Sequence, residues 1–168
     1  MYYFELFDLP ISLNVNKTEI LKKYYQLSKQ YHPDNYSLQD TSAQENALQM
    51  STHINMAKNI LDDSYGRLAY ILKEKKIIDE DEKYTLSSEF LGEMMEINEQ
   101  LMELENEENI EAKQKIKVDL DSIVSALHKK VAHLYVIENL EMESIDYLPL
   151  KDYYFKLKYL NRILERLS

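Results

Sequence analysis

This chain of 168 residues has no cysteine, only two glycines and only three prolines. Without cysteine there is no disulfide, no thiolate metal ligand and no thiol nucleophile. A reducing cytoplasm is compatible with that. So few helix breakers favour long regular elements, and no Gly-rich loop is present to cradle a phosphate. No stretch approaches the roughly 18 consecutive apolar residues that a membrane span needs. The opening, Met1-Tyr2-Tyr3-Phe4-Glu5, lacks the basic and apolar regions of a secretory signal, so none is expected. Basic residues are missing from one long stretch as well, since none lies between Lys83 and Lys113.

What is present is unevenly placed. Residues 1–76 hold nine Lys/Arg and nine Asp/Glu, net zero, whereas residues 77–168 hold eleven and twenty-one, net −10. A surface of that sign repels nucleic acid and attracts basic protein patches. The hydrophobic fraction, 45%, is ordinary for a globular protein. Length alone allows one domain or two small ones.

Apolar periodicity predicts an all-α chain. Asn16 can cap a helix, and Glu19 completes a capping-box-like pattern. Ile20, Tyr24, Leu27 and Tyr31 then form one stripe, while Lys22, Lys23, Gln26, Lys29 and Gln30 form the opposite, positive face. That face is either a solvated surface or a docking surface. The helix should end near Tyr31, because His32-Pro33-Asp34 follows and proline disfavours helix for the residue before it. The result is a rigid exposed corner with an imidazole on one side and a carboxylate on the other. Such a corner suits docking, since little of it needs ordering on binding.

Residues 35–44 read as a polar loop. A helix over about 45–61 follows, with Leu48, Met50, Ile54, Ala57 and Leu61 mostly inward, packed antiparallel to the one before. A short helix over about 65–75 closes a first part, 1–76, through Leu68, Tyr70, Ile71 and Leu72. Residues 77–86 read as a connection, and Ile77 and Ile78 predict that it packs on something. Residues 87–168 read as a three-helix bundle, with helices over about 88–106, 110–138 and 150–167. Its inward rows are Phe90, Met94, Ile97, Leu101 and Leu104; Ile116, Leu120, Ile123, Leu127 and Val131; and Tyr153, Leu157, Leu160, Leu164 and Leu167.

The first bundle helix carries more apolar residues than one face needs. Leu91, Met95 and Met102 lie about a third of a turn from the core row, near Glu96, Glu99 and Glu103. Two-sided packing inside the bundle is one explanation. The other is an exposed Leu/Met patch edged by carboxylates, the composition of an adaptable protein-binding surface. On the last helix Phe155 and Tyr159 lie off the Leu157/Leu164 row and extend such a patch if the two helices are neighbours.

Three segments together resemble a J-domain, the module that activates the ATPase of seventy-kilodalton heat-shock chaperones: Tyr2 to Pro10, Ile20 to Asp34, and Ile54-Asn55-Met56-Ala57. In layout the whole chain is similar to the HscB type of J-protein, which serves iron–sulfur cluster assembly. The resemblance implies a J-domain followed by a C-terminal three-helix bundle. It implies that His32, Pro33 and Asp34, with Lys22, Lys23 and Lys29, meet a heat-shock chaperone of the HscA type. It further implies that Leu91, Gly92, Met95, Glu96, Glu99, Glu103 and Tyr159 meet an iron–sulfur scaffold protein of the IscU type. Some positions depart from the family pattern. Gly92 replaces a larger apolar residue, Tyr159 a phenylalanine, Tyr25-Gln26 a Lys-Arg pair, and Asn35 a lysine.

Enzyme chemistry finds little support in the sequence. His32 and Asp34 on an exposed corner have no third group to orient them. His128 and His133, five apart, are poorly spaced for one metal site, so no metal or other cofactor is expected. The expected role is a cytoplasmic co-chaperone without nucleic-acid or membrane partners. The alternatives are a J-protein with another client, a bundle that serves oligomerisation, or an acidic helical protein in which the tripeptide is accidental.

Overall fold

A computed structural model of the chain describes residues 1–79, 81–104, 110–141 and 144–167. Every regular element among them is helical. The chain forms two compact units, one of residues 1–76 with 134–145, the other of residues 77–133 with 146–168.

In the first unit, α1 (Tyr2–Leu6) buries Phe4. It stops in a tight turn in which Asp8 N–H donates to the Glu5 carbonyl and Leu9 N–H to that of Phe4, both at 3.0 Å. Asp8 sits there at φ 54°, in the left-handed region. Glycine usually takes such a helix stop. In a glycine-poor chain an aspartate fills it, a residue that tolerates this region better than most. Pro10 then bars continuation.

The second helix, α2 (Lys17–Gln30), starts at Asn16, whose side chain accepts from Thr18 N–H at 2.9 Å. It buries Ile20 and Leu27. A 3-10 turn (Pro33–Tyr36) follows, and then α3 (Thr41–Asp62). This helix begins inside the segment expected to be a loop, because Asp40 caps it by accepting from Ala43 N–H at 2.8 Å. The earlier start adds Ala47 to the buried row with Ile54, Ala57 and Leu61. Successive helical residues lie 100° apart, so Ala47 and Leu48 cannot both face inward. Leu48 is 60% exposed, contrary to expectation, and Met50 is half-buried. Lys17 approaches Asp62 at 4.0 Å, which sets the start of α2 beside the end of α3. The pair is antiparallel, and Tyr24 Oη donates across it to Asn55 Oδ1 at 3.0 Å.

Asp63 ends α3 and caps α4 (Ser64–Glu74), accepting from Gly66 N–H at 2.5 Å. A Cβ at Gly66 would come within 2.9 Å of that same carboxylate. The helix buries Leu68, Ile71 and Leu72, and with them Arg67. Arg67 donates through Nε and Nη2 to the Leu13 carbonyl at 3.1 and 2.9 Å, and through Nη1 to the Leu61 carbonyl. Burial lowers its pKa, and Tyr135, Asp63 and Asp62 oppose that shift. Residues 134–145 hold the other side of the same segment. Leu140 N–H donates to the Ile11 carbonyl at 2.7 Å, and Ser12 Oγ to that of Ile137 at 3.0 Å.

The second unit opens on residues 77–86, which are packed and not a free tether. Ile78 is buried, and Lys151 donates to the Ile77 carbonyl at 2.9 Å while pairing with Glu82 at 2.5 Å. Three helices follow: α5 (Ser88–Leu104), α6 (Ile110–Tyr135) and α7 (Leu148–Leu167). The expected end of the first of these near Asn106 lies outside the described residues. α6 stops at Tyr135, three residues short of the expected end. The α5 and α6 rows are largely as expected, with Phe90, Met94, Ile97 and Leu101, and Ile116, Leu120, Leu127 and Val131 buried, while Leu104 and Ile123 are half-buried. On α7 the row differs: Leu150, Tyr153, Leu160 and Ile163 are inward, and Leu157, Leu164 and Leu167 are half-buried. The helix covers α5, α6 and residues 77–86 at once, so its buried face is wide, and Tyr154 and Phe155 are inside it too. No helix among the described residues is long and apolar enough to cross a membrane.

Arg67→Ala is expected to cost about 2–4 kcal/mol, because the Leu13 and Leu61 carbonyls lose their donors in a buried site. Urea denaturation followed by circular dichroism measures this. An unchanged midpoint would remove Arg67 from the framework of the first unit.

Candidate partner-binding sites

The corner is built as a capped turn. His32 stands at the N-cap of the 3-10 turn with extended backbone, φ −65° and ψ 129°, as a residue before proline prefers. Its Nδ1 accepts from Asp34 N–H at 3.3 Å. The Asp34 carboxylate lies 3.6 Å from that ring nitrogen and is 88% exposed. Imidazole and carboxylate therefore face outward on either side of Pro33, and the carboxylate is open to a visiting cation.

Two residues that the sequence reading did not single out as anchors fix the corner to α2. Asn35 Nδ2 donates to the Lys29 carbonyl at 2.8 Å, and Tyr36 Oη to the Gln30 carbonyl at 3.3 Å. Both satisfy carbonyls at the end of α2, where no further helical N–H is available. Ser37 Oγ adds a bond to the Asp34 carbonyl at 3.0 Å. The signal was present: a side-chain amide directly after Pro-Asp, at a helix end, is placed to bond backwards. Asn35 thus exchanges a cation for an anchor.

The lysines divide. Lys22 and Lys29 are exposed on the outward face of α2. Lys23 lies at the flank, mostly covered, 3.6 Å from Asp8. It is partly neutralised there and does not share the open face of the other two. Tyr25, 63% exposed, gives that face an aromatic where a cation is usual.

On α5 the extra apolar row is exposed. Leu91 is 37%, Met95 63% and Met102 64% accessible. Two-sided packing therefore does not account for them. Asn98 lies between this row and the core and joins α5 to α7. Its Nδ2 donates to the Met94 carbonyl at 2.8 Å and approaches Tyr159 Oη at 3.5 Å, and its Oδ1 accepts from Arg166 at 2.9 Å. Tyr159 also sets its ring edge-on to Phe90, centroids 6.0 Å apart. The half-buried Tyr159 thus flanks the Leu/Met row, as expected. Phe155 does not extend the patch; it is buried and stacked on Tyr84 at 4.5 Å and 6°. Glu99 and Glu103 continue around the exposed side of α5, and Glu96 turns toward α6, lining a shallow pocket with Asp119. Gly92 is open, with nothing within 4 Å of an added Cβ.

Two exposed surfaces result, one a stiff corner and the other an apolar patch with an acidic side. Among the described residues no group of three or more His, Asp or Glu is placed to hold a metal ion.

Comparison with known proteins bears on both. Residues 3–70 match the family model of the DnaJ domain, and residues 86–168 match the model described as the HSCB C-terminal oligomerisation domain. The chain is 31% identical over 145 residues to the co-chaperone protein HscB homolog of Psychromonas ingrahamii, covering 86% of this chain and 84% of that one. It is 29% identical over 164 residues to the homolog of Vibrio campbellii, covering 97% and 92%. Among solved structures, chaperone HscB from Vibrio cholerae shares the fold, with TM-score 0.76 at 24% identity, covering 98% of this chain and 94% of that one. Human co-chaperone protein HscB superposes with TM-score 0.83 at 28% identity, covering 98% and 79%.

Asn35→Ala combined with Tyr36→Phe is expected to loosen the corner while leaving the core intact. Backbone 15N order parameters of residues 32–37 should fall, with a stability loss of only about 1–2 kcal/mol. Unchanged order parameters would mean that the backbone alone holds the turn.

Proposed function

Because the chain belongs to the HscB family of J-domain co-chaperones, we propose that it stimulates the ATPase of an HscA-type heat-shock chaperone and brings to it an IscU-type iron–sulfur scaffold protein, in the cytoplasm. The observation that carries this reading is the anchored, solvent-facing His32-Pro33-Asp34 corner. A corner already fixed before binding loses little entropy on docking. Its exposed carboxylate is free to engage an arginine network on the chaperone, as the family resemblance implies. Lys22 and Lys29 supply attraction along α2, whereas Lys23 is held by Asp8. ATP belongs to the chaperone, and this chain acts by contact alone.

Residues 87–168 then serve client binding. Leu91 and Met95 provide apolar contact, Tyr159 an aromatic edge, and Glu96, Glu99 and Glu103 charge. Gly92 leaves a gap in that footprint. The name of the matching C-terminal model supports a second reading, in which the bundle joins copies of the chain. Sedimentation equilibrium separates the two, since self-association through the patch would make mass depend on concentration and on Met95.

His32→Gln is expected to abolish ATPase stimulation in a steady-state assay with chaperone and scaffold present. Stimulation equal to the unaltered protein would end the assignment of the corner. Leu91→Ala with Met95→Ala should weaken scaffold binding by about tenfold or more, measured by calorimetry. Full retention would move the client site elsewhere. Gly92→Leu should raise stability by about 0.5–1 kcal/mol, since glycine weakens a helix interior, and tighten scaffold binding. If binding weakens instead, Gly92 is a close-approach point and not a gap.

A further inference from the structure

A cleft in the second unit is lined by residues 82–84, Leu86 and, from α7, Phe155, Lys158, Tyr159 and Arg162. Its electrostatics run against its surroundings. Residues 77–168 carry net charge −10, yet the two carboxylates that meet the cleft's own residues, Glu82 and Asp152, are already engaged. Glu82 pairs with Lys151 at 2.5 Å, a contact that holds its carboxyl below the usual range. Asp152 takes Lys156 at 2.6 Å on one oxygen and the Tyr84 hydroxyl at 3.2 Å on the other. Lys83, Lys158 and Arg162 are left with no described carboxylate within 4.0 Å.

Lys158 and Arg162 are also four apart on one helix, where like charges repel. The floor is aromatic: the Tyr84–Phe155 stack lies beneath, with Lys158 Nζ 6.0 Å from the Phe155 centroid. The cleft of about 310 Å³ holds the volume of roughly ten waters, more than a lone ion needs. Tyr159 borders both the cleft and the Leu91/Met95 patch.

We infer that this cleft binds an acidic peptide segment, its carboxylates on Lys83, Lys158 and Arg162 and its apolar parts on the Tyr84–Phe155 floor. Its continuity with the Leu91/Met95 patch makes the client protein the source of that segment, and this last step rests on the client reading above. The acidic side of α5 and the cationic cleft then present opposite charges to one partner. Such a pairing fixes orientation more than it adds affinity.

The test is a titration of the 15N-labelled full chain with acetyl-Glu-Asp-Phe-Asp-Glu-amide at low salt. Saturable amide shifts at residues 82–86 and 155–162 are expected. They should vanish in the Lys158→Glu, Arg162→Glu variant and with a peptide whose acids are replaced by lysine. No saturable shift up to about 5 mM peptide overturns the site. Equal shifts with inorganic phosphate or with anionic vesicles overturn the peptide assignment. Scaffold binding supplies the second arm, in which the charge-reversal variant should bind about fivefold more weakly at low salt and converge with the unaltered chain at high salt. If Leu91→Ala with Met95→Ala abolishes binding while charge reversal leaves it within about twofold, the client does not use the cleft, although the client reading stands. A chain that binds the peptide but not the scaffold supports the cleft and sinks the client reading instead.

Discussion

The antiparallel seating of α2 on α3 is the constraint from which the first unit follows. Ile20 and Leu27 on one helix and Ala47, Ile54, Ala57 and Leu61 on the other are buried, and α1, α4 and the 3-10 turn all pack against α3 as well. Truncating one large side chain in such an interface typically costs about 2–5 kcal/mol, a large share of a small domain's stability. The seating also brings the last carbonyls of α2 to the place where Asn35 and Tyr36 meet them. A corner that is wholly exposed is therefore held by a core that it does not enter. Function at the tip depends on apolar burial along the shaft.

Polar groups do the fine positioning in both units, and each case is one of satisfying backbone or charge. Arg67 spends its guanidinium on two carbonyls, from Leu13 and Leu61, and so ties the loop before α2 to the end of α3. Asn98 holds Tyr159 and Arg166 in place beside the Leu/Met row. Lys151 and Lys156 neutralise Glu82 and Asp152. These pairs are largely covered, with Lys156 buried, so each must offset the desolvation of its own charges and adds little net stability. Their consequence is arrangement, because they decide which charges remain available to a partner and which are already engaged.

Much of this was legible in residue order. Six of the seven α-helices among the described residues, most of the core rows, the exposure of His32-Pro33-Asp34 and the surplus apolar row on α5 follow from periodicity and from proline stereochemistry, while the short α1 does not. The errors have specific causes. The start of α3 is not legible in residue order because an Asp40 cap looks like any other polar residue in a polar segment. The α7 row differs from the expected one because a helix with three neighbours buries more than one stripe, so apolar period alone does not say which residues are deepest. Phe155 reads as an outlier until Tyr84 is found stacked on it. Lys23 reads as part of an open cationic face until Asp8, fifteen residues away in sequence, is placed beside it.

By itself the sequence determined the things that depend on near neighbours. Proline and side-chain caps set helix ends, the 3.6-residue period set inward faces, and the absence of cysteine excluded whole classes of chemistry. Tertiary structure alone decided which charged and polar groups pair across long separations: Arg67 with the Leu13 carbonyl, Lys151 with Glu82, and Leu140 with Ile11. Those pairings depend on how separate elements come to rest, and no local pattern encodes the distance between them. The division between engaged and free charge, and with it the surface shown to a partner, therefore exists only in the folded chain.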